Sequence, residues 1–182
     1  MGLGILSPLF VLIAVLIKLD SSGPVFFLQE RIGRNFLPFQ IVKFRTMKVG
    51  AILQGPLITV GGDKRVTRIG IILRKLKIDE LPQLINILKG EMSFVGPRPE
   101  VKKYVEHFRE DYMKLLTVRP GITDPASVRF SDEEVLLASS ADWERDYIEK
   151  ILPEKIRLAQ GYIENHTLCI DIRLIMKTLL KI

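Results

Sequence analysis

Two adjacent carboxylates, Asp79 and Glu80, sit inside "KIDELPQL", in the most basic part of the chain, with Arg68, Arg74, Lys75 and Lys77 just before them. Neighbouring cations keep carboxylates ionised, and an ionised aspartate is a competent nucleophile toward phosphorus or carbon. Adjacent acids can also share one hard divalent cation, which points to Mg²⁺. The plain alternative is helix-start chemistry, because aspartate is a favoured N-cap and early acids complement the helix dipole. Two further basic clusters lie nearby in sequence, Lys43 and Arg45 in "KFRTM" and Arg98 in "GPRPE". Arginine forks suit phosphate oxygens. Taken singly, "KFRTM" also reads as a strand with outward cations, and "GPRP" as a rigid surface turn. "GGDKRVTRIG" matches no Walker or dinucleotide fingerprint.

Composition narrows the chemistry. The chain has 182 residues and a net charge of +6, with a pI near 9.5, so anionic partners are expected: nucleotide phosphates, lipid head groups or nucleic acid. Cys169 is the only cysteine, which excludes an internal disulfide and a multi-cysteine zinc site. His107 and His166 lie far apart and give little support to a histidine-based site. No nucleic-acid motif accompanies the basic charge, and an apolar N-terminus serves no purpose in such a protein, so no nucleic-acid partner is expected. The length suits one domain with a real core.

The elements that must position these residues read as α+β, mostly helical. Residues 1–20 carry no charge before Lys18 and are interrupted by Ser7-Pro8. Proline removes a backbone donor, and a serine hydroxyl can satisfy the carbonyl so freed. The stretch from Pro8 to Lys18 covers roughly half of a ~30 Å hydrocarbon layer. A re-entrant membrane helix broken at Ser7-Pro8 therefore fits better than a straight span, with a buried core helix as the bland alternative. A signal peptide lacks support, there being no basic leader or A-x-A-like site. Residues 21–182 are expected to form a compact catalytic domain. In it, "GPVFFLQERIG" and "LPFQIVKFRTM" read as strands with a turn at Gly33-Arg34-Asn35, and residues 48–66 as a loop. "TRIGIILRKLK" reads as an amphipathic, interfacial helix with Ile69, Ile72, Leu73 and Leu76 on one stripe. "ELPQLINILKG" reads as a second helix headed by the acid pair. "GEMSFVGPRPE" and "VRPGITDPAS" read as turn-rich connections, residues 100–116 as one charged helix, and the chain from Asp132 onward as helical.

The order of these pieces resembles the bacterial sugar transferases called monotopic phosphoglycosyl transferases. The likeness runs from Ser7 to Thr123 through "GPVFFLQERIGRNFLPFQIVKFRTM", "GGDKRVTRIGIILRKLKIDELPQLINILKGEMSFVGPRPE" and "VRPGIT", and is weaker beyond, mainly at "DIRLIMKT". The resemblance implies transfer of a sugar-1-phosphate from a UDP-sugar to polyprenyl (undecaprenyl) phosphate, with release of UMP. The setting it implies is the cytoplasmic face of the bacterial inner membrane, at the first lipid-linked step of surface glycan assembly. It further implies Asp79 as a nucleophile forming a phosphosugar intermediate, Glu80 as its dyad partner, and Mg²⁺ held by the pair. Lys43, Arg45, Arg98 and Asp171 match the family's substrate-phosphate residues, Ser7 and Pro8 its helix break, and Pro97 and Pro99 the turn around Arg98. Three departures stand out: a shorter stretch before Ser7, suggesting a late start, Leu76-Lys77-Ile78 before the acids, and Asp124-Pro125-Ala126-Ser127 after "RPGIT". The first motivates an alternative, a catalytically inactive membrane-associated partner in glycan assembly; the intact acids and arginines argue against it.

Overall fold

A computed structural model describes residues 2–51 and 61–180. Residues 52–60 of the expected 48–66 loop lie outside the described residues. The first element, α1 (Gly2–Asp20), runs as one helix with Pro8 inside it. The effect expected of Ser7 is present: its Oγ donates to the Gly4 carbonyl at 2.8 Å. That carbonyl is the one whose helical partner, the residue-8 amide, proline removes. Among the described residues, no helix is long and apolar enough to cross a membrane.

The expected hairpin forms from β1 (Phe26–Ile32) and β2 (Pro38–Phe44), antiparallel and in register from Phe26 opposite Phe44 to Ile32 opposite Pro38. Its connection is a short 3-10 turn, Arg34–Phe36, in which Asn35 and Phe36 take left-handed backbone angles. After a single bridge between Met47 and Val66, α2 (Arg68–Lys75) begins with Thr67 as its N-cap. Asp20 adds a second cap, its Oδ2 accepting from the Ile69 amide at 3.1 Å, and so ties the end of α1 to the start of α2. Ile13 and Ile17 of α1 pack with Phe44 and Leu73 in one apolar cluster. The expected α2 stripe is only partly used: Leu73 is buried, whereas Ile72 is 53% exposed.

Past α2 the structure departs from a single helix headed by acids. Lys77 turns left-handed (φ 54°), and Ile78–Gln83 winds as a 3-10 helix that passes directly into α3 (Leu84–Leu88). Pro82 lies in this segment, and it has no side-chain cap. Asn86, fully buried, fixes α3 to β2: its Oδ1 accepts from the Val42 amide at 3.0 Å and its Nδ2 donates to the Gln40 carbonyl at 2.7 Å.

Both segments expected as irregular connections contain strands. β3 (Ser93–Val95) and β4 (Gly121–Thr123) form a two-stranded parallel pair. Three residues each are too few for an alternation to show in sequence. The approach is close: a Cβ on Gly121 would stand 2.1 Å from the Gly96 nitrogen. The expected 100–116 helix is two helices, α4 (Lys102–His107) and α5 (Arg109–Leu115), broken at Phe108 (φ −115°, ψ 40°). After β4 come α6 (Pro125–Arg129), α7 (Glu133–Ala138) and α8 (Trp143–Asp146), then a π turn at Tyr147–Ile151, α9 (Leu152–Asn165) and α10 (Leu168–Leu180). The largest core lies here, with Tyr104, Tyr112, Leu116, Tyr147 and Leu152 among its buried members. Mostly helical with small β elements, the architecture agrees with the expected α+β class.

Candidate active site

Three elements converge on the acid pair carried by the 3-10 helix: β2 brings Lys43, the turn after β3 brings Arg98, and the end of α2 brings Arg74. Glu80 is the hub. Its Oε1 accepts from Lys43 Nζ at 2.6 Å and from Arg98 Nη2 at 2.7 Å, while Arg98 Nη1 stands 3.5 Å from Oε2. Burial alone raises the Glu80 pKa, but Arg98 and Lys43, by charge and hydrogen bond, outweigh it and hold the carboxyl well below the ordinary range. Glu80 in turn holds the Arg98 guanidinium firmly protonated, against its own burial.

Asp79 behaves differently. It is 8% exposed. Among the described residues its carboxylate accepts no hydrogen bond. Burial, then the neighbouring charge of Glu80, pushes it up to about 6, against the pull of Lys43, Arg74 and Lys77. Two adjacent acids thus part into a doubly paired counter-ion and a poised, unbonded carboxylate. Such divergence is what acid, base or nucleophile roles require of a pair.

The remaining predicted residues fall in different places. Pro97 and Pro99 are buried and flank Arg98. Arg45 does not join the Glu80 cluster. It is 4% exposed and aims at the end of α1, where Nη2 donates to the Ser21 carbonyl at 2.6 Å and to Ser21 Oγ at 2.9 Å. Asp171 also lies elsewhere, accepting from the Tyr162 hydroxyl at 2.7 Å. It lines an open cleft of about 410 Å³ with Arg34, Arg119, Tyr162 and His166. Arg74 was legible only as one cation in a basic approach. Its Nε donates to Thr46 Oγ1 at 2.9 Å and its Nη1 to Glu134 Oε1 at 3.0 Å, which holds the head group near Asp79.

For a metal, the donors are oxygen-only, which suits a hard cation. Among the described residues no group of three or more ligating side chains assembles. Mg²⁺ commonly takes only one or two protein carboxylates and completes its shell with water and substrate phosphate. Both strong ion-pair bonds fall on Glu80 Oε1, so the Asp79 carboxylate and Glu80 Oε2 are the oxygens of the pair best placed to hold it. The residues fit a cation that arrives with a phosphorylated substrate.

The sequence profile of a family described as "Bacterial sugar transferase" matches residues 1–182. A UDP-N-acetylgalactosamine-undecaprenyl-phosphate N-acetylgalactosaminephosphotransferase of Aeromonas hydrophila is 43% identical over 95% of this chain and 38% of its own length. A UDP-glucose:undecaprenyl-phosphate glucose-1-phosphate transferase of Caulobacter vibrioides is 37% identical over 94% of this chain and 61% of its own. An exopolysaccharide production protein of Rhizobium leguminosarum bv. phaseoli is 36% identical over 96% of this chain and 85% of its own. The chain therefore spans less than two-thirds of the first two relatives. With the profile matched from end to end and the motif order intact, the chain belongs to the bacterial sugar transferase family.

Proposed function

We propose that this protein transfers a sugar-1-phosphate from a UDP-sugar to undecaprenyl phosphate, releasing UMP, by way of a covalent phosphosugar on Asp79. The observation that carries the reading is the contrast within the dyad: Asp79 has a carboxyl poised near 6 that accepts no hydrogen bond among the described residues, beside a Glu80 paired with Lys43 and Arg98. The names of the similar enzymes supply the substrate class, and they differ in the sugar.

The chemistry runs as two displacements. An Asp79 oxygen attacks the phosphorus that bears the sugar; the bond to the UMP oxygen breaks, and its electron pair leaves with UMP. A phosphate oxygen of the lipid then attacks the same phosphorus, the bond to Asp79 breaks, and the carboxylate is restored. Splitting the transfer spares two polyanions from meeting directly. Lys43, Arg74 and Arg98 surround the pair with positive charge prepared before the substrate arrives. When bound, Mg²⁺ would supply charge neutralisation on the diphosphate, held by the Asp79–Glu80 pair.

The lipid acceptor places the reaction at a membrane surface, as a monotopic protein on the inner membrane's cytoplasmic face. In support, α1 packs Ile13 and Ile17 inward while Val11, Leu12, Val15 and Leu19 stay exposed. In a re-entrant setting these side chains meet acyl chains, and Ser7 satisfies the Gly4 carbonyl where water is absent. Basic side chains near anionic lipid add ~1 kcal/mol each. On this reading the product starts a lipid-linked glycan.

A panel of UDP-sugars with undecaprenyl phosphate and Mg²⁺, read out as UMP, tests the proposal. UMP from one or a few sugars is expected, with Asp79→Asn inactive and a phosphosugar adduct on Asp79 by mass spectrometry. Release of UDP overturns the mechanism.

A further inference from the structure

Arg98 rides on a turn that is poorly equipped to hold itself. Pro97 and Pro99 bring no backbone N–H, and the Arg98 amide makes only a long contact, 3.4 Å to Asp124 Oδ2. Behind the turn is a chamber of about 20 Å³, lined by Pro97, Arg98, Glu100, Asp124 and Lys155 among others. That is room for about one water.

Its polar tethers come from outside. The Gly121 amide donates to the Pro97 carbonyl at 3.0 Å, and the Ile32 amide to the Glu100 carbonyl at 3.0 Å. Arg31 of β1 donates through Nη1 to the Pro99 carbonyl at 3.2 Å and to Glu100 Oε2 at 3.3 Å. The other Glu100 oxygen accepts from the Tyr147 hydroxyl at 2.9 Å. Tyr147 is itself immobilised: 2% exposed, its ring 5.0 Å from that of Tyr104 and capped by Lys155 Nζ at 4.9 Å. It opens a π turn, a rare and less favourable helical geometry that recurs at functional sites. None of these three side chains hydrogen-bonds to the acid pair, although the Arg31 guanidinium lies near enough to feel the charges of Arg98 and Glu80.

We infer that Arg31, Glu100 and Tyr147 are positioning residues that fix the Pro97–Pro99 turn and, through it, the grip of Arg98 on Glu80. The inference concerns the site read above as a sugar-phosphate transferase, and assigns a task to the C-terminal helices: they supply the hydroxyl that holds Glu100.

The test compares wild type with Tyr147→Phe and Arg31→Lys, in full-length protein in lipid nanodiscs. Two readouts are taken: the rate at which phenylglyoxal modifies Arg98, mapped by mass spectrometry with exposed Arg173 as control, and kcat/KM for UMP release. Each substitution is expected to speed modification of Arg98 several-fold without changing Arg173. Each should lower kcat/KM by roughly ten- to a hundredfold, the rate equivalent of one hydrogen bond to a charged group. In the Glu80→Gln background, where Arg98 has lost its partner directly, Tyr147→Phe should add little further reactivity, since both changes act on one contact. Unchanged Arg98 reactivity in both variants overturns the inference, as does an equal rise at Arg98 and Arg173, the mark of general loosening. If wild type releases no UMP, the transferase reading fails, and the modification rates still decide this one.

Discussion

Arg45 and Ser21 meet at the base of α1, the arginine donating through Nη2 to the serine carbonyl at 2.6 Å and to its hydroxyl at 2.9 Å. Two residues earlier, near the end of β2, Lys43 pairs with Glu80. The Arg45 amide extends the hairpin ladder by one bond, to the Val25 carbonyl at 2.8 Å. One strand end thus fixes both the apolar helix and the acid pair. A guanidinium at a helix C-terminus also opposes the negative end of its dipole.

Arg45→Ala is therefore expected to act on stability and on the α1 junction. Losing a buried charged donor to two acceptors should cost roughly 3 kcal/mol. Limited proteolysis around Ser21–Gly23 should accelerate, with Arg45→Lys intermediate. A direct phosphate ligand would behave otherwise, raising KM for the UDP-sugar while leaving the melting midpoint in place.

The pH profile follows from the parted dyad. With Asp79 pushed up to about 6 by burial and by Glu80, the attacking form accumulates as pH rises through that value. Adduct formation should show an acid limb there, not in the ordinary carboxylate range. Glu80→Gln removes the repelling charge and releases Lys43 and Arg98 from their partner, so the limb should move to lower pH even as the rate falls. Single-turnover adduct formation by mass spectrometry, from pH 5 to 8, measures both. A limb unmoved by Glu80→Gln would refute the assignment.

The same shift makes Asp79 a liability to the fold. A carboxyl raised from 3.8 to about 6 on folding binds its proton more tightly in the native state. Stability therefore falls as pH rises from the lower value to the higher, and levels off above it. Asp79→Asn should be more stable than wild type at pH 7.5, by on the order of 2–3 kcal/mol. The gain should vanish below about pH 4. Paired thermal melts at the two pH values check this; a variant less stable at pH 7.5 would contradict the burial argument.

How far the sequence could be read depended on the range of each contact. The hairpin, its turn and α2 follow from local alternation, helical spacing and turn chemistry, and all form where expected. The acid pair is legible as adjacency. Its partners are not: Lys43 lies 37 residues and Arg98 18 residues from Glu80, and only the order of motifs linked them. Asn86 sits in an apolar run, and besides nearby Glu91 its partners are backbone groups of β2, which no local pattern discloses. Glu100 reads as the end of "GPRPE", yet its ligands come from β1 and from the π turn. Arg45 shares a motif with Lys43, but spacing could not reveal that its guanidinium finds carbonyls at the end of α1. The parallel β3–β4 pair was hidden by brevity.

Gly70 gives the sharpest steric prediction. It lies in the first turn of α2, where its amide bonds to Thr67 Oγ1, and a Cβ there would stand 2.1 Å from the Thr46 carbonyl oxygen. Both partners are backbone, so neither side can yield by a rotamer change. Relief would require α2 to lift from the end of β2, and α2 carries Leu73 into the core and Arg74 to Thr46 before the chain turns at Lys77 into the acid pair. Elsewhere in an exposed helix, alanine for glycine stabilises by up to ~1 kcal/mol. Here Gly70→Ala should destabilise by roughly 2–4 kcal/mol, an overpacking cost. It should also lower adduct formation on Asp79 more than Ala substitution of exposed Gly161, where nothing stands within 4 Å. Chemical denaturation of both variants, with adduct yield measured on the folded fraction, tests the steric claim; equal stability of the two would defeat it.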